Sequence, residues 1–150
     1  YTGNMSRTAW IVLATVSVSI FVSVIVLVFV PSPNDATRKS FLSKNVKVFL
    51  PPVGGSVRNE FTAVGEARGT WFFEASFPVQ VRDSTNNLIG RGIAQAGGEW
   101  MTADFVPFTA QVTVENYSGP AELVFLKDNP SGLPENSDSV SIPIEVLDVQ

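Results

Sequence analysis

No cysteine and no histidine occur anywhere in the 150 residues. Without cysteine there is no disulfide framework, so the fold has to stand on its apolar core. Without either residue type, the ligands of structural zinc and of nearly every catalytic zinc site are missing. A Ser-His-Asp relay and a cysteine nucleophile are excluded on the same grounds. Positive charge is scarce as well. From Asn45 to the end, six basic residues stand against thirteen acidic ones, a net of −7. A domain of that sign with no basic stripe is a poor match to a phosphate backbone, and no nucleic-acid partner is expected. Only 16% of the chain is charged and 45% is hydrophobic, which at this length suits one domain with a real core and not two.

Charge disappears altogether from one run, AWIVLATVSVSIFVSVIVLVFV, Ala9 to Val30. A helix rises about 1.5 Å per residue, so this stretch would span a hydrocarbon core of roughly 30 Å. Trp10 sits where an interfacial aromatic would sit. A helix apolar on all faces does not suit a small soluble domain. A cleaved signal would have a shorter apolar region and an Ala-x-Ala-like site, which FVPSPNDA does not offer. The expectation is therefore a short tail over residues 1–8, a single transmembrane helix over 9–30 in contact with the lipid bilayer, and a linker over 31–44. Pro31 and Pro33 end the helix, because proline lacks the N–H and clashes with the preceding turn. The flanking charges are Arg7 before the run and Arg38, Lys39 and Lys44 after it. Taken alone, they place the C-terminal part of the chain in the cytoplasm.

From Asn45 to residue 150 the helical period is gone and short alternating runs take over. NVKVFL puts Val46, Val48 and Leu50 on one face. EFTAVGEA comes after a turn-rich PPVGGSVRN. FFEASFPVQVRD reads as one strand with Phe73, Ala75, Phe77, Val79 and Val81 on one side and Phe72, Glu74, Ser76 and Gln80 on the other. STNN turns into LIGRGIAQA. PFTAQVTVE points Phe108, Ala110, Val112 and Val114 inward. AELVFLK is apolar on both faces, as a central strand is. VSIPIEVLD closes the chain, and Pro143 inside it marks an edge or a bulge. About seven strands separated by turn signals define an all-β protein, an immunoglobulin-like antiparallel β-sandwich preceded by one transmembrane α-helix. A small closed barrel is the alternative.

Candidate chemistry is sparse. KDNPSGLPENSD, residues 127–138, is rich in oxygen side chains. An EF-hand counted from Asp128 fails, because its third and fifth positions are Pro130 and Gly132. A non-standard oxygen site on Asp128, Glu135 and Asp138 is the alternative to an ordered turn built on Asn129-Pro130 and Ser131-Gly132. No metal and no cofactor are expected. Trp71, Phe72 and Phe73 are consecutive, so they cannot all face one core. Trp71 and Trp100 read either as plugs at the ends of the sandwich or as parts of an exposed aromatic platform. In the second reading Trp71, Phe72, Glu74 and Trp100 are the ligand-binding candidates, with Phe72 foremost because it falls on the polar side of its strand. Glu74, Glu99 and Asp104 could serve a glycosidase only if two of them faced one cleft. No catalytic residue is assigned.

GTWFFEASFPVQVRD, GGEWMTADFVPFTAQV and LVFLKDNPSGLPENSDSVSIPIEV, after a PPVGGSV start at Pro51 to Val57, succeed one another in an order that is itself informative. Together they resemble the immunoglobulin-like domain first described beside the germination and sporulation domain of bacterial spore-germination proteins. The resemblance runs from about Val46 to Val146. It implies a bacterial, extracytoplasmic β-sandwich with a binding or structural role and no known chemistry, and it sets the domain outside the membrane, against the charge count. The companion germination domain has no counterpart in these 150 residues, where the apolar run stands upstream instead, so envelope association is the broader expectation. The function expected is a non-catalytic, single-pass protein of the bacterial cytoplasmic membrane that binds or scaffolds at the cell surface, with wall polymer or another envelope protein as partner. A wall-glycan hydrolase or its accessory subunit, and a purely structural spacer, are the alternatives.

Overall fold

The structure is a computed structural model and describes residues 40–148. The transmembrane helix expected over 9–30 lies outside the described residues. Within them, no helix is long and apolar enough to cross a membrane.

Among the described residues nine strands form one curled sheet: β1 (Phe41–Leu42), β2 (Val46–Leu50), β3 (Gly55–Val57), β4 (Glu60–Arg68), β5 (Ser76–Asp83), β6 (Leu88–Ala96), β7 (Phe105–Val114), β8 (Gly119–Leu126) and β9 (Ser139–Val146). Their spatial order is β1-β2-β4-β7-β6-β5-β8-β9-β3. The seven strands expected from alternation are all present. The two additions are too short for a period-2 pattern to show: β1 falls in the stretch read as linker, and β3 in the turn-rich stretch after Leu50. Every pairing is antiparallel except β3 with β9, which is parallel. The expectation of a wholly antiparallel sheet is corrected there. The cause is that the chain leaves β2 through PPVG and rejoins at the opposite edge.

The curl comes from side-chain alternation. Val106, Phe108, Ala110, Val112 and Val114 of β7 are buried, while Thr109, Gln111 and Thr113 between them are exposed. Phe77 of β5 meets Phe108 of β7 at 5.1 Å, and Phe108 meets Phe125 of β8 at 5.6 Å. None of these strands is adjacent to its partner in the sheet, so the contacts run across the interior and hold its two halves face to face. Two half-sheets closed over an apolar core make an immunoglobulin-like arrangement. β8 lies between β5 and β9 with Leu123, Val124 and Phe125 buried, as a central strand should. β9 is not an edge strand, since β3 pairs beyond it from Ile144 onward; Pro143 lies just ahead of that pairing. Its carbonyl accepts from the Gly54 N–H at 2.8 Å, so its missing donor also faces away from β8 and no bond to β8 is lost.

Alternation failed at one place. FFEASFPVQVRD is not a single strand. β5 begins only at Ser76, and Phe73 and Ser76 exchange two backbone hydrogen bonds of 3.0 Å each around a two-residue turn. Glu74 (φ 51°) and Ala75 (φ 60°) both lie in the left-handed region, which gives a tight hairpin of type I′ sense. That turn usually carries Asn-Gly or Asp-Gly, so Glu-Ala gives no sequence signal for it. The hairpin shifts the inside–outside pattern upstream of it, so Phe72 rather than Phe73 points inward.

Candidate functional site

Three connections meet at one end of the sheet. β4 leads into residues 69–75, β6 into residues 97–104 and β8 into residues 127–138. Backbone hydrogen bonds knit them together. Gly69 N–H donates to the Asp104 carbonyl (3.0 Å), Ala96 N–H to the Ala75 carbonyl (2.8 Å), and Asp128 N–H to the Trp71 carbonyl (3.0 Å). Glycine is required at position 69, because a Cβ there would lie 2.3 Å from the Trp100 carbonyl oxygen and 2.2 Å from that of Thr102. In an immunoglobulin-like fold the loops at one end are the usual place for binding, being carried on a rigid frame.

The short 3₁₀ turn Gly69–Trp71 drops Trp71 into the core, where it is 1% exposed and meets Phe77 edge-on at 6.1 Å. Phe72 also turns inward, 5% exposed and 5.0 Å from the same ring. Trp71 therefore plugs this end of the sheet. The expectation of an exposed platform led by Phe72 is corrected: its ring is buried against Phe77. The exposed member of the triplet is Phe73, at 43%. Trp100 is half-buried against the core, and Glu74 stands exposed at the hairpin tip.

Two shallow grooves lie side by side here and share Thr70 and Phe72. The first, about 360 Å³, runs between Gly69, Trp100 and Met101. The second, about 250 Å³, runs between Phe73, Asp128 and Asn129. Both are open clefts of side-chain size. Glu74, Glu99 and Asp104 line neither groove. The Glu99 carboxylate instead accepts from the Met101 N–H at 3.0 Å and shapes its own loop.

The loop 127–138 is held by its own polar side chains. The Asn129 amide donates to the Leu133 carbonyl (2.8 Å) and to Ser137 Oγ (3.0 Å), and the Ser131 hydroxyl donates back to Asn129 Oδ1 (2.6 Å). The Asp138 carboxylate accepts from the Asn45 amide at 3.0 Å, which ties the loop to the start of β2. Asp128, Glu135 and Asp138 are not gathered into a ligand set, and the described residues hold no group of three potential ligands that could bind a metal. The ordered-turn reading of this loop describes what is seen.

Sequence reasoning missed the residues that this end displays. Phe73 (43% exposed), Met101 (75%) and Leu133 (49%) project one from each of the three connections. A signal was present for two of them: Met101 and Leu133 are large apolar residues inside turn-rich polar stretches, GGEWMTAD and NPSGLPEN, where neither strand pattern claims them.

The curled all-β core, the parallel β3–β9 edge and the loop cluster define an immunoglobulin-like domain. The family is more specific than the fold. Residues 45–132 match the family model of the immunoglobulin-like domain of bacterial spore germination, and the chain belongs to that family. The match spans more than half of the chain and ends inside the loop 127–138. No curated protein and no solved structure gives a significant match.

Proposed function

We propose that this chain is a membrane-anchored protein of the bacterial envelope whose immunoglobulin-like domain binds or scaffolds at the cell surface, in spore germination or in related wall processes. Membership of the family supports a binding or structural role rather than a catalytic one. The observation that carries the reading is the loop end, where three apolar side chains on a rigid frame stay in solvent although the polar groups beside them are satisfied locally. A mere spacer has no use for such a display, and a glycan hydrolase would want two carboxylates in one cleft. The uncharged run Ala9–Val30 supplies the anchor. The domain then stands outside the membrane, with wall polymer or another envelope protein as its partner.

The test is made on the full chain in a bacterial host. Membranes should retain the chain after a carbonate wash, and protease added to intact spheroplasts should remove the β domain. Release by carbonate would sink the anchor. A domain protected from protease until lysis would put it on the cytoplasmic side and overturn the surface role.

A further inference from the structure

We infer that the loop end is a docking surface for a short cationic segment of a partner protein that carries an apolar anchor residue. The inference rests on the surface-binding reading above and names the site and the partner chemistry.

The apolar half of the argument is geometric. Phe73, Met101 and Leu133 are each more than 40% exposed, and each comes from a different connection of the same end. Phe73 and Met101 stand on the two grooves that share Thr70 and Phe72, so an extended segment could seat one side chain in each. Met101 has the unbranched, adaptable side chain that suits varied peptide surfaces. Phe73 is held out by the hairpin at Glu74–Ala75, whose two left-handed residues leave its backbone little freedom. Preorganisation of this sort spares a binding site the cost of ordering its own loop.

The charged half chooses among occupants. Residues 69–75, 97–104 and 127–138 contain six carboxylates, Glu74, Glu99, Asp104, Asp128, Glu135 and Asp138, and one cation, Lys127. Two more cations reach this end: Arg68 donates to the Ala103 carbonyl at 3.2 Å, and the exposed Lys44 precedes Asn45, which is bonded to Asp138, so six carboxylates stand against three cations. Lys47 pairs with Glu66 at 2.9 Å, and Lys47 and Arg68 lie over the Phe105 ring, at 3.8 and 4.1 Å from its centre. Within the second groove Asp128 and Lys127 balance, and the other five carboxylates lie outside both grooves, so it is the net negative field of this end that disfavours an anionic bilayer, a phosphate-rich wall polymer and a second copy of itself. The same field attracts Lys- and Arg-bearing peptide.

The experiment uses the full chain in nanodiscs of zwitterionic lipid as bait for a random dodecapeptide phage library. In parallel, purified peptidoglycan sacculi and anionic vesicles are tested as other ligands. The expected result is enrichment of peptides with Lys or Arg beside Phe, Leu or Trp. Synthetic versions should weaken with added salt and should lose about tenfold or more in affinity for a Phe73→Ser/Met101→Ser chain. Both positions are exposed, so an unchanged melting temperature certifies that this variant is folded. Enrichment of acidic or purely polar peptides, no enrichment, or equal binding by the variant overturns the proposal. If sacculi bind and the variant binds them equally, the docking surface is wrong while the surface-binding role stands. If neither peptides nor sacculi nor vesicles bind, the broader role falls with it.

Discussion

Two turns at opposite ends of the sheet are built from the same materials and filled differently, although both ends carry exposed apolar side chains, Leu50, Leu88 and Leu147 at the far one. At the far end the β5–β6 connection is Ser84-Thr85-Asn86-Asn87, and Asp83 closes it completely. One carboxylate oxygen accepts from the Thr85 N–H (2.9 Å), the Thr85 hydroxyl (2.8 Å) and the Asn87 N–H (2.8 Å), and the other accepts from the Asn87 amide (3.0 Å). Asn86 takes the left-handed position (φ 68°), where a short polar side chain is tolerated. Every side chain of that turn is polar and exposed. At the near end the loops are also hydrogen-bonded within themselves, yet Phe73, Met101 and Leu133 stand in solvent, and Glu and Ala fill the left-handed positions. A turn that only reverses the chain uses the residues its geometry favours. A turn that accepts the wrong residues and displays apolar ones is shaped by something other than folding.

The contrast is sharpest among the three consecutive aromatics. Trp71 and Phe73 are two positions apart, one in the core and one in water. Trp71→Ala should therefore cost about 3–5 kcal/mol, because it opens a cavity beside Phe77 and removes the plug of this end. Phe73→Ser should change stability by less than about 0.5 kcal/mol, as an exposed substitution does. Urea unfolding of both variants checks this. A comparable loss in the two would mean that Phe73 is structural and would undercut the docking surface.

How far the sequence could be read is decided by the same stretch. Seven strands were legible because their inner residues alternate cleanly, as in Phe108-Thr109-Ala110-Gln111-Val112. The short edge strands β1 and β3 were not, since two or three residues show no period. The hairpin at Glu74–Ala75 was invisible for a different reason: its turn chemistry contradicts its geometry, and the alternation of FFEASF continues on paper through a point where the backbone reverses. That one unread turn moved Phe72 from the platform to the core and Phe73 from the core to the surface. Of the four candidate site residues, Glu74 is exposed and Trp100 partly buried, while Trp71 and Phe72 are buried in the core. The run of aromatics in WFFE could be singled out from the sequence, but not which ring faces out.

Strain at the near-end hairpin is open to direct measurement. A non-glycine residue in the left-handed region costs about 1–2 kcal/mol. Glycine at such a site gives back roughly 0.4–1 kcal/mol through the freedom of its unfolded chain. Ala75→Gly should therefore stabilise the domain by about 0.5 kcal/mol, read as a raised denaturation midpoint with an unchanged slope. A lowered midpoint would show that the Ala75 side chain contributes packing that outweighs its backbone conformation, and the strain would no longer separate the two turns.

The smallest effect belongs to the far end and depends on pH. The hydrogen bonds from Asn87 and Thr85 favour the ionised form of Asp83 and hold its pKa down from 3.8 to about 2. A carboxylate depressed in the folded state stabilises the fold fully above its unfolded pKa and loses that contribution as pH falls through its folded pKa. The window for Asp83 therefore runs from about pH 3.8 down to about 2. Thermal melts of the parent and of Asp83→Asn should differ by a constant amount above pH 4.5, and the difference should shrink towards pH 2. Taking the difference cancels the other carboxylates that titrate in the same range. A carbon-detected titration of the Asp83 carboxyl should give a midpoint near the depressed value. A midpoint at the ordinary carboxylate value, or a parent–variant difference indifferent to pH, would mean that the Asp83 bonds do not hold in solution. The far turn would then be as loosely closed as any exposed loop, and the contrast between the two turns would rest on the near one alone.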